Sequence, residues 1–156
     1  KKWPEAHYAT VAQAMCEQGH QVWLFGSAKD VAGCDSIKAQ VDSQYHHQIQ
    51  VLAGKTSLIE AVDLLACCQT VISNDSGLMH IAAAVGCNIV AIYGSTSPQY
   101  TPALADNVEI VHTDIECRPC FKRECPLGHL KCLKELEPSK VLNSINRLHA
   151  IKVDAC

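Results

Sequence analysis

Apolar residues recur along this chain in two alternating rhythms. Tyr8, Val11, Ala12 and Met15 stand at i, i+3, i+4 and i+7 and predict an amphipathic helix, opened by Pro4 and Glu5 and stopped by Gly19. The short apolar run 21–25 then predicts a buried strand, ended by Gly26-Ser27. A helix over about 30–39 follows, weakened by Gly33, and the polar stretch 40–47 reads as a loop. Residues 49–53 predict the next strand. Ser57 and Glu60 form the S-x-x-E pattern of a capping box ahead of an apolar face at Leu58, Ala61, Val62 and Leu65. The β-branched run 70–73 predicts a strand, 74–77 a turn, and Leu78, Ile81, Ala82 and Val85 a helix ended by Gly86. Strands are expected at 88–93 and 108–111, separated by a loop containing Pro98 and Pro102. Residues 113–133 are rich in Cys and irregular. A last helix begins near Pro138 and carries Val141, Leu142, Ile145 and Leu148 on one face.

Short apolar strands alternating with amphipathic helices imply βαβ units. The expected fold class is α/β, with a mostly parallel sheet and helices on both faces. The chain has 156 residues, 48% of them hydrophobic and 19% charged, enough to bury a core as one domain. A net charge of -3 argues against a general nucleic-acid binder. No apolar run approaches the roughly 20 residues that span a bilayer. The N-terminus has neither Met nor the apolar core of a signal peptide, and it reads as a cut within a longer chain.

In open α/β sheets, ligands bind beyond the carboxyl ends of the strands. Three turns are expected there: 26–30, 54–57 and 74–77. The third is the most informative. A helix starting near Ser76 or Gly77 offers free N–H groups and a favourable dipole to an anion such as a phosphate. Gly77 lets the ligand approach the backbone. Asp75, at the mouth, can accept hydrogen bonds from sugar hydroxyls, and His80 lies about one helical turn further in. The plainer alternative is that Asp75 or Ser76 is an N-cap and His80 packs in the core. Asp30 can reach a ribose hydroxyl or merely open its helix. There is no G-x-G-x-x-G, which disfavours a conventional dinucleotide site. Gly54-Lys55-Thr56 lacks the first glycine of a nucleotide-binding phosphate loop, so Lys55 reads as a solvated lysine.

The run Asn74-Asp75-Ser76-Gly77-Leu78-Met79-His80, then Val90 to Pro98, resembles the donor-binding domain of ADP-heptose:lipopolysaccharide heptosyltransferases. Residues 24–30, 52–58 and the opening Lys1-Lys2-Trp3-Pro4 fit the same family. The resemblance implies a Rossmann-like fold, the C-terminal half of a GT-B type glycosyltransferase. On it, 1–156 is a single donor-binding domain, truncated at its start. The acceptor domain and the catalytic base lie outside this chain. It implies donor contacts at Lys1 (phosphates), Asp30 (ribose), Thr56 (adenosine pocket), Asp75 (heptose hydroxyls, or positioning of the donor), Ser76 and Gly77 (pyrophosphate) with Leu78 beside them, and His80 supporting the loop. The implied reaction moves heptose from ADP-heptose to the lipopolysaccharide inner core with inversion, at the cytoplasmic face of the inner membrane of a Gram-negative bacterium. The implied partners are that donor, that acceptor and the missing N-terminal domain. No nucleic-acid partner and at most a peripheral membrane contact are expected. No cofactor is required, in keeping with the lack of an Asp-x-Asp motif. A transferase for another nucleotide sugar is the alternative within the class.

The resemblance is silent on Cys117, Cys120, Cys125 and Cys132, four thiols within sixteen residues. A C-x-x-C pair with two further Cys can hold a tetrahedral zinc, which would make the segment a metal-dependent structural or interaction module. Free thiols and disulfides are the other readings. Arg118, Lys122, Arg123 and Lys131 would offset thiolate charge or suit an anionic acceptor. Cys16, Cys34, Cys67, Cys68 and Cys87 fall on or beside apolar faces and are expected to be small core residues.

Overall fold

A computed structural model describes residues 2–151. Contacts divide them into two compact units. One comprises Pro4–Ala61, the other residues 2–3 with 62–151.

In the Pro4–Ala61 unit, α1 (Glu5–Glu17) ends at Gly19, whose φ of 86° lies in the left-handed region. Gly19 N–H donates to Cys16 O and His20 N–H to Met15 O, so the terminal carbonyls are satisfied as in a Schellman motif. The parallel pair β1 (Val22–Leu24) and β2 (Ile49–Val51) runs in register Val22↔Ile49 to Leu24↔Val51. Between them lie a 3-10 turn (Ala28–Asp30), α2 (Val31–Gln40) and a second 3-10 stretch (Ser43–Gln48). That second stretch occupies most of the expected loop. Asp42 starts it by accepting the Gln44 N–H at 3.1 Å. The inner faces of α1, α2 and β2 bury Ala9, Ala12, Cys16, Ile37, Val41 and Ile49 together.

α3 (Leu58–Ala66) begins with the expected capping box. Ser57 N–H donates to Glu60 Oε2 at 2.7 Å, and Glu60 N–H to Ser57 Oγ at 3.2 Å. The bond from the Ser57 N–H holds the Glu60 carboxyl below its usual pKa. Ala61 and Leu65 are buried, but Leu58, expected on the same face, is exposed in the first turn.

The second unit holds a parallel sheet of order β3-β4-β5, with β3 at Thr70–Asn74, β4 at Asn88–Ile92 and β5 at Val108–Val111. All strand pairs are thus parallel, as the alternation predicts, although they form two hydrogen-bonded sheets rather than one. β4 is central and buried at every position, which explains its unbroken apolar run. α4 (Gly77–Ala84) links β3 to β4, and α6 (Pro138–Ile151) packs Val141, Ile145 and Leu148 inward against β4 and β5. Within the Cys-rich stretch, a short α5 (Lys131–Lys134) forms where irregular chain is expected and buries Cys132 and Leu133. Trp3 belongs to this unit. Its indole N–H donates to Leu136 O at 2.9 Å and its backbone N–H to Asn74 Oδ1 at 3.1 Å. Trp3 is therefore tied to the end of β3.

Candidate functional site

β3 delivers the chain to the carboxyl edge of its sheet at Asn74, and α4 leaves from Gly77 three residues later. Ser76 is the N-cap residue, with extended backbone, but its side chain makes no capping bond. Its hydroxyl meets Ser73 Oγ at 3.2 Å instead. The N-terminus of α4 thus keeps its orientation toward an anion without a side chain closing it. A Cβ placed on Gly77 would meet nothing within 4 Å, so the space in front of this turn is open. Leu78 is half-buried beside it, and Met79 is in the core.

Asp75 is the charged group of this turn, with its side chain 14% exposed. Thr101 Oγ1 donates to its Oδ2 at 2.9 Å. Its Oδ1 lies 3.8 Å from His80 Nε2, too long for a hydrogen bond. The His80 side chain is 45% exposed, so of its two expected orientations it takes the outward one, on the Asp75 side. The structure brings Asp75, Ser76, Gly77, Leu78 and His80 into one turn.

Two other expected residues lie in the Pro4–Ala61 unit. Asp30 Oδ2 accepts both the Ser27 N–H and the Ser27 hydroxyl at 2.8 Å, a capping box on the Ala28–Asp30 turn. Asp30 thus closes the 3-10 turn that leads into α2, while at the N-cap of α2 itself its side chain makes no capping bond. Thr56, half-buried, follows the turn at Gly54. That turn abuts the first: Gly54 N–H donates to Gly26 O at 3.0 Å, and a Cβ on Gly54 would lie 3.2 Å from Ala28 Cα. Asp30 and Thr56 hence sit on neighbouring turns at the carboxyl ends of β1 and β2. Lys1 lies outside the described residues.

Sequence reading missed the residues that hold the loop after β4. Arg118 lays its guanidinium across three backbone carbonyls, with Nε on Gly94 O at 2.9 Å, Nη2 on Thr96 O at 3.2 Å and Nη1 on Thr113 O at 3.4 Å. Phe121 N–H adds a bond to Ser95 O at 2.8 Å, and its ring meets Tyr100 edge-on with centroids 5.1 Å apart. Tyr93 and Thr101 complete this loop's fixation from the sheet side. A buried Tyr at a strand end and an Arg among cysteines were the available signals, and neither states its partner.

Cys117, Cys120, Cys125 and Cys132 all line one small cavity of about 30 Å³. All nine described cysteines are free thiols. Among the described residues, no three His, Cys, Asp or Glu side chains are arranged to hold a metal ion. Backbone N–H groups of Leu130, Leu127, His129 and Gly128 point at Cys125 and lower its pKa, whereas burial raises that of Cys132. Of the expected core cysteines, Cys16, Cys34 and Cys87 are buried and Cys68 is half-buried. Cys67 is exposed, a correction: it follows the last residue of α3, past the last buried turn.

Residues 1–131 match the family model described as glycosyltransferase family 9 (heptosyltransferase). The chain is 44% identical over 151 residues to lipooligosaccharide heptosyltransferase 2 of Haemophilus influenzae, covering 96% of this chain and 44% of that protein. Among solved structures it resembles the ADP-heptose lps heptosyltransferase II of E. coli with a TM-score of 0.86 and 37% identity, over 97% of this chain and 43% of that one. It shares the fold of E. coli heptosyltransferase WaaC, solved with ADP, with a TM-score of 0.70 at 22% identity, over 95% of this chain and 40% of that one. The chain thus spans less than half the length of the relatives it matches.

Proposed function

The chain belongs to glycosyltransferase family 9, and on that premise we propose that it is the donor-binding part of an inverting transferase that moves heptose from ADP-heptose to the lipopolysaccharide inner core. The observation that carries this reading is the turn between β3 and α4. An uncapped helix N-terminus, open space before Gly77 and a half-buried carboxylate at Asp75 stand together there. The first two suit a diphosphate and the third suits sugar hydroxyls. The relatives' names support the heptose and the lipid-linked acceptor, and the ADP in the WaaC structure supports the nucleotide.

In this reading Ser76 and Gly77 offer backbone N–H groups to the pyrophosphate with Leu78 beside them, and Lys1 adds a cation. Asp30 and Thr56 serve the ribose and adenine, Asp75 accepts heptose hydroxyls, and His80 flanks it. Negative charge grows on the departing ADP as the glycosidic bond breaks. Fixed N–H donors and a lysine stabilise that charge more than the ground state, which lowers the barrier. The base that takes the acceptor proton comes from the rest of the full-length protein. The work is done at the cytoplasmic face of the inner membrane. Among the described residues no helix is long and apolar enough to cross it. Titration calorimetry of the full-length parent with ADP, UDP and GDP tests the donor assignment. ADP binding tighter than the other two is the expected result. Preference for UDP or GDP would move the protein to another nucleotide sugar.

A further inference from the structure

Asp75 does not stand alone. β3 and β4 are parallel neighbours paired Asn74↔Ile92, so the segments that follow them leave the sheet side by side. Asp75 N–H reaches back to Ile92 O at 3.3 Å. From the β4 side, the loop returns Thr101 to the carboxylate, and its hydroxyl donates to Asp75 Oδ2 at 2.9 Å. A threonine hydroxyl has one proton to give. Its other acceptor contact, Ser97 O, is longer at 3.3 Å, so the proton goes to the carboxylate. Thr101 is itself fixed from two directions. Its N–H donates to Ser97 O at 3.2 Å, and its carbonyl accepts the Tyr93 hydroxyl at 2.6 Å. Tyr93 is fully buried. Burial, and the nearby Asp75 charge, keep its phenol protonated, so it acts as a constant donor.

This arrangement divides the work of the two carboxylate oxygens. Oδ2 is occupied by Thr101. Oδ1 is on the His80 side, where no direct hydrogen bond from the described residues engages it. Among the described residues no Lys or Arg pairs with Asp75. Without the Thr101 hydroxyl, no other hydrogen bond from a described side chain holds the carboxylate at one rotation. We propose that Thr101 is a positioning residue for the donor sugar: its hydroxyl, backed by Tyr93, holds Asp75 so that Oδ1 faces a sugar hydroxyl. This rests on the reading that Asp75 contacts the sugar of the donor.

The test uses the full-length parent and compares wild type with Thr101→Val, Thr101→Ser and Tyr93→Phe. For each, kcat and KM are measured with ADP-heptose and the Kd with ADP. Thr101→Val keeps the shape and removes the donor. It is expected to lower kcat/KM for ADP-heptose by about ten- to a hundredfold, the scale of a misplaced reacting or orienting group. Its ADP affinity should stay within about twofold, because ADP lacks the sugar that Asp75 meets. Thr101→Ser restores the hydroxyl and should recover most of the loss. Tyr93→Phe should give a smaller loss of the same kind, and it keeps the question answerable if Thr101→Val fails to fold. Wild-type kcat/KM in Thr101→Val, an equal loss of ADP and ADP-heptose affinity, or a folded Thr101→Ser without rescue would each overturn the proposal. A wild-type parent that neither binds nor uses ADP-heptose would instead refute the donor-site reading, and the proposal with it.

Discussion

Leu133 leaves no room for a side chain at position 94. A Cβ on Gly94 would lie 2.8 Å from both Leu133 Cγ and Cδ2, and Leu133 is buried, so it cannot swing aside into solvent. Gly94→Ala is expected to overpack this contact and to cost about 1–3 kcal/mol in a urea unfolding titration. An unchanged midpoint would show that the Leu133 region yields freely. The cysteines differ at the same scale. Four backbone N–H groups favour the Cys125 thiolate, whereas burial, with smaller help from the neighbouring Cys87 and Cys67, pushes Cys68 up to about 11. A lowered pKa means more thiolate at any pH below the ordinary thiol range. Brief iodoacetamide pulses between about pH 6 and pH 9, read by peptide mass spectrometry, should therefore label Cys125 from the acid end of the series and leave Cys68 nearly unlabelled throughout. Equal onset at the two positions would contradict the assigned environments.

At the scale of elements, the Cys-rich segment is the buttress of the loop after β4. Arg118 spans Gly94, Thr96 and Thr113 with three separate nitrogens, a fork that a lysine ammonium cannot reproduce. Arg118→Ala and Arg118→Lys should both loosen residues 94–101. The alanine variant leaves carbonyls without partners, a loss of about 1–3 kcal/mol each where water cannot enter. Faster hydrogen exchange confined to 94–101 is the expected readout, and lysine that protects as well as arginine would refute the fork. What was legible in advance follows the same division. Gly19, the Ser57–Glu60 box and the run of β4 are signalled by residues within a few positions of each other, and all three appear as expected. The turn at 74–77 was legible because strand, turn and helix are consecutive. Thr101 was not, because its partner lies 26 residues away and nothing in the local pattern Tyr-Thr-Pro names a carboxylate. Arg118 was read as one of four charges offsetting thiolates or meeting an anionic acceptor, and its structural role stayed hidden for the same reason: its acceptors are backbone carbonyls up to 24 residues distant, which no residue type advertises. The expected burial of Cys67 and Leu58 failed at the two ends of α3, where periodicity continues but packing stops.

At the scale of the whole molecule, the decisive quantity is coverage. The chain matches its relatives over 96% of its own length but only 44% of theirs. A glycosyl transfer needs donor, acceptor and base held within reacting distance, and the greater part of the barrier reduction comes from that joint placement. Every residue proposed here serves the donor. The 156-residue chain by itself is therefore expected to give no heptose transfer, while still binding ADP more weakly than the full-length parent does, since remaining contacts to the phosphates are expected from the rest of that protein. Mixing it with the separately prepared remainder should restore some transfer if the two parts reassemble. Product formation is followed by mass spectrometry of the core oligosaccharide, and ADP binding by calorimetry on the same preparation. Transfer by the chain alone would mean that its own residues deprotonate the acceptor. Asp75 and His80, 3.8 Å apart on the open side of the turn, would then have to be re-examined as the base and its partner rather than as the sugar's cradle.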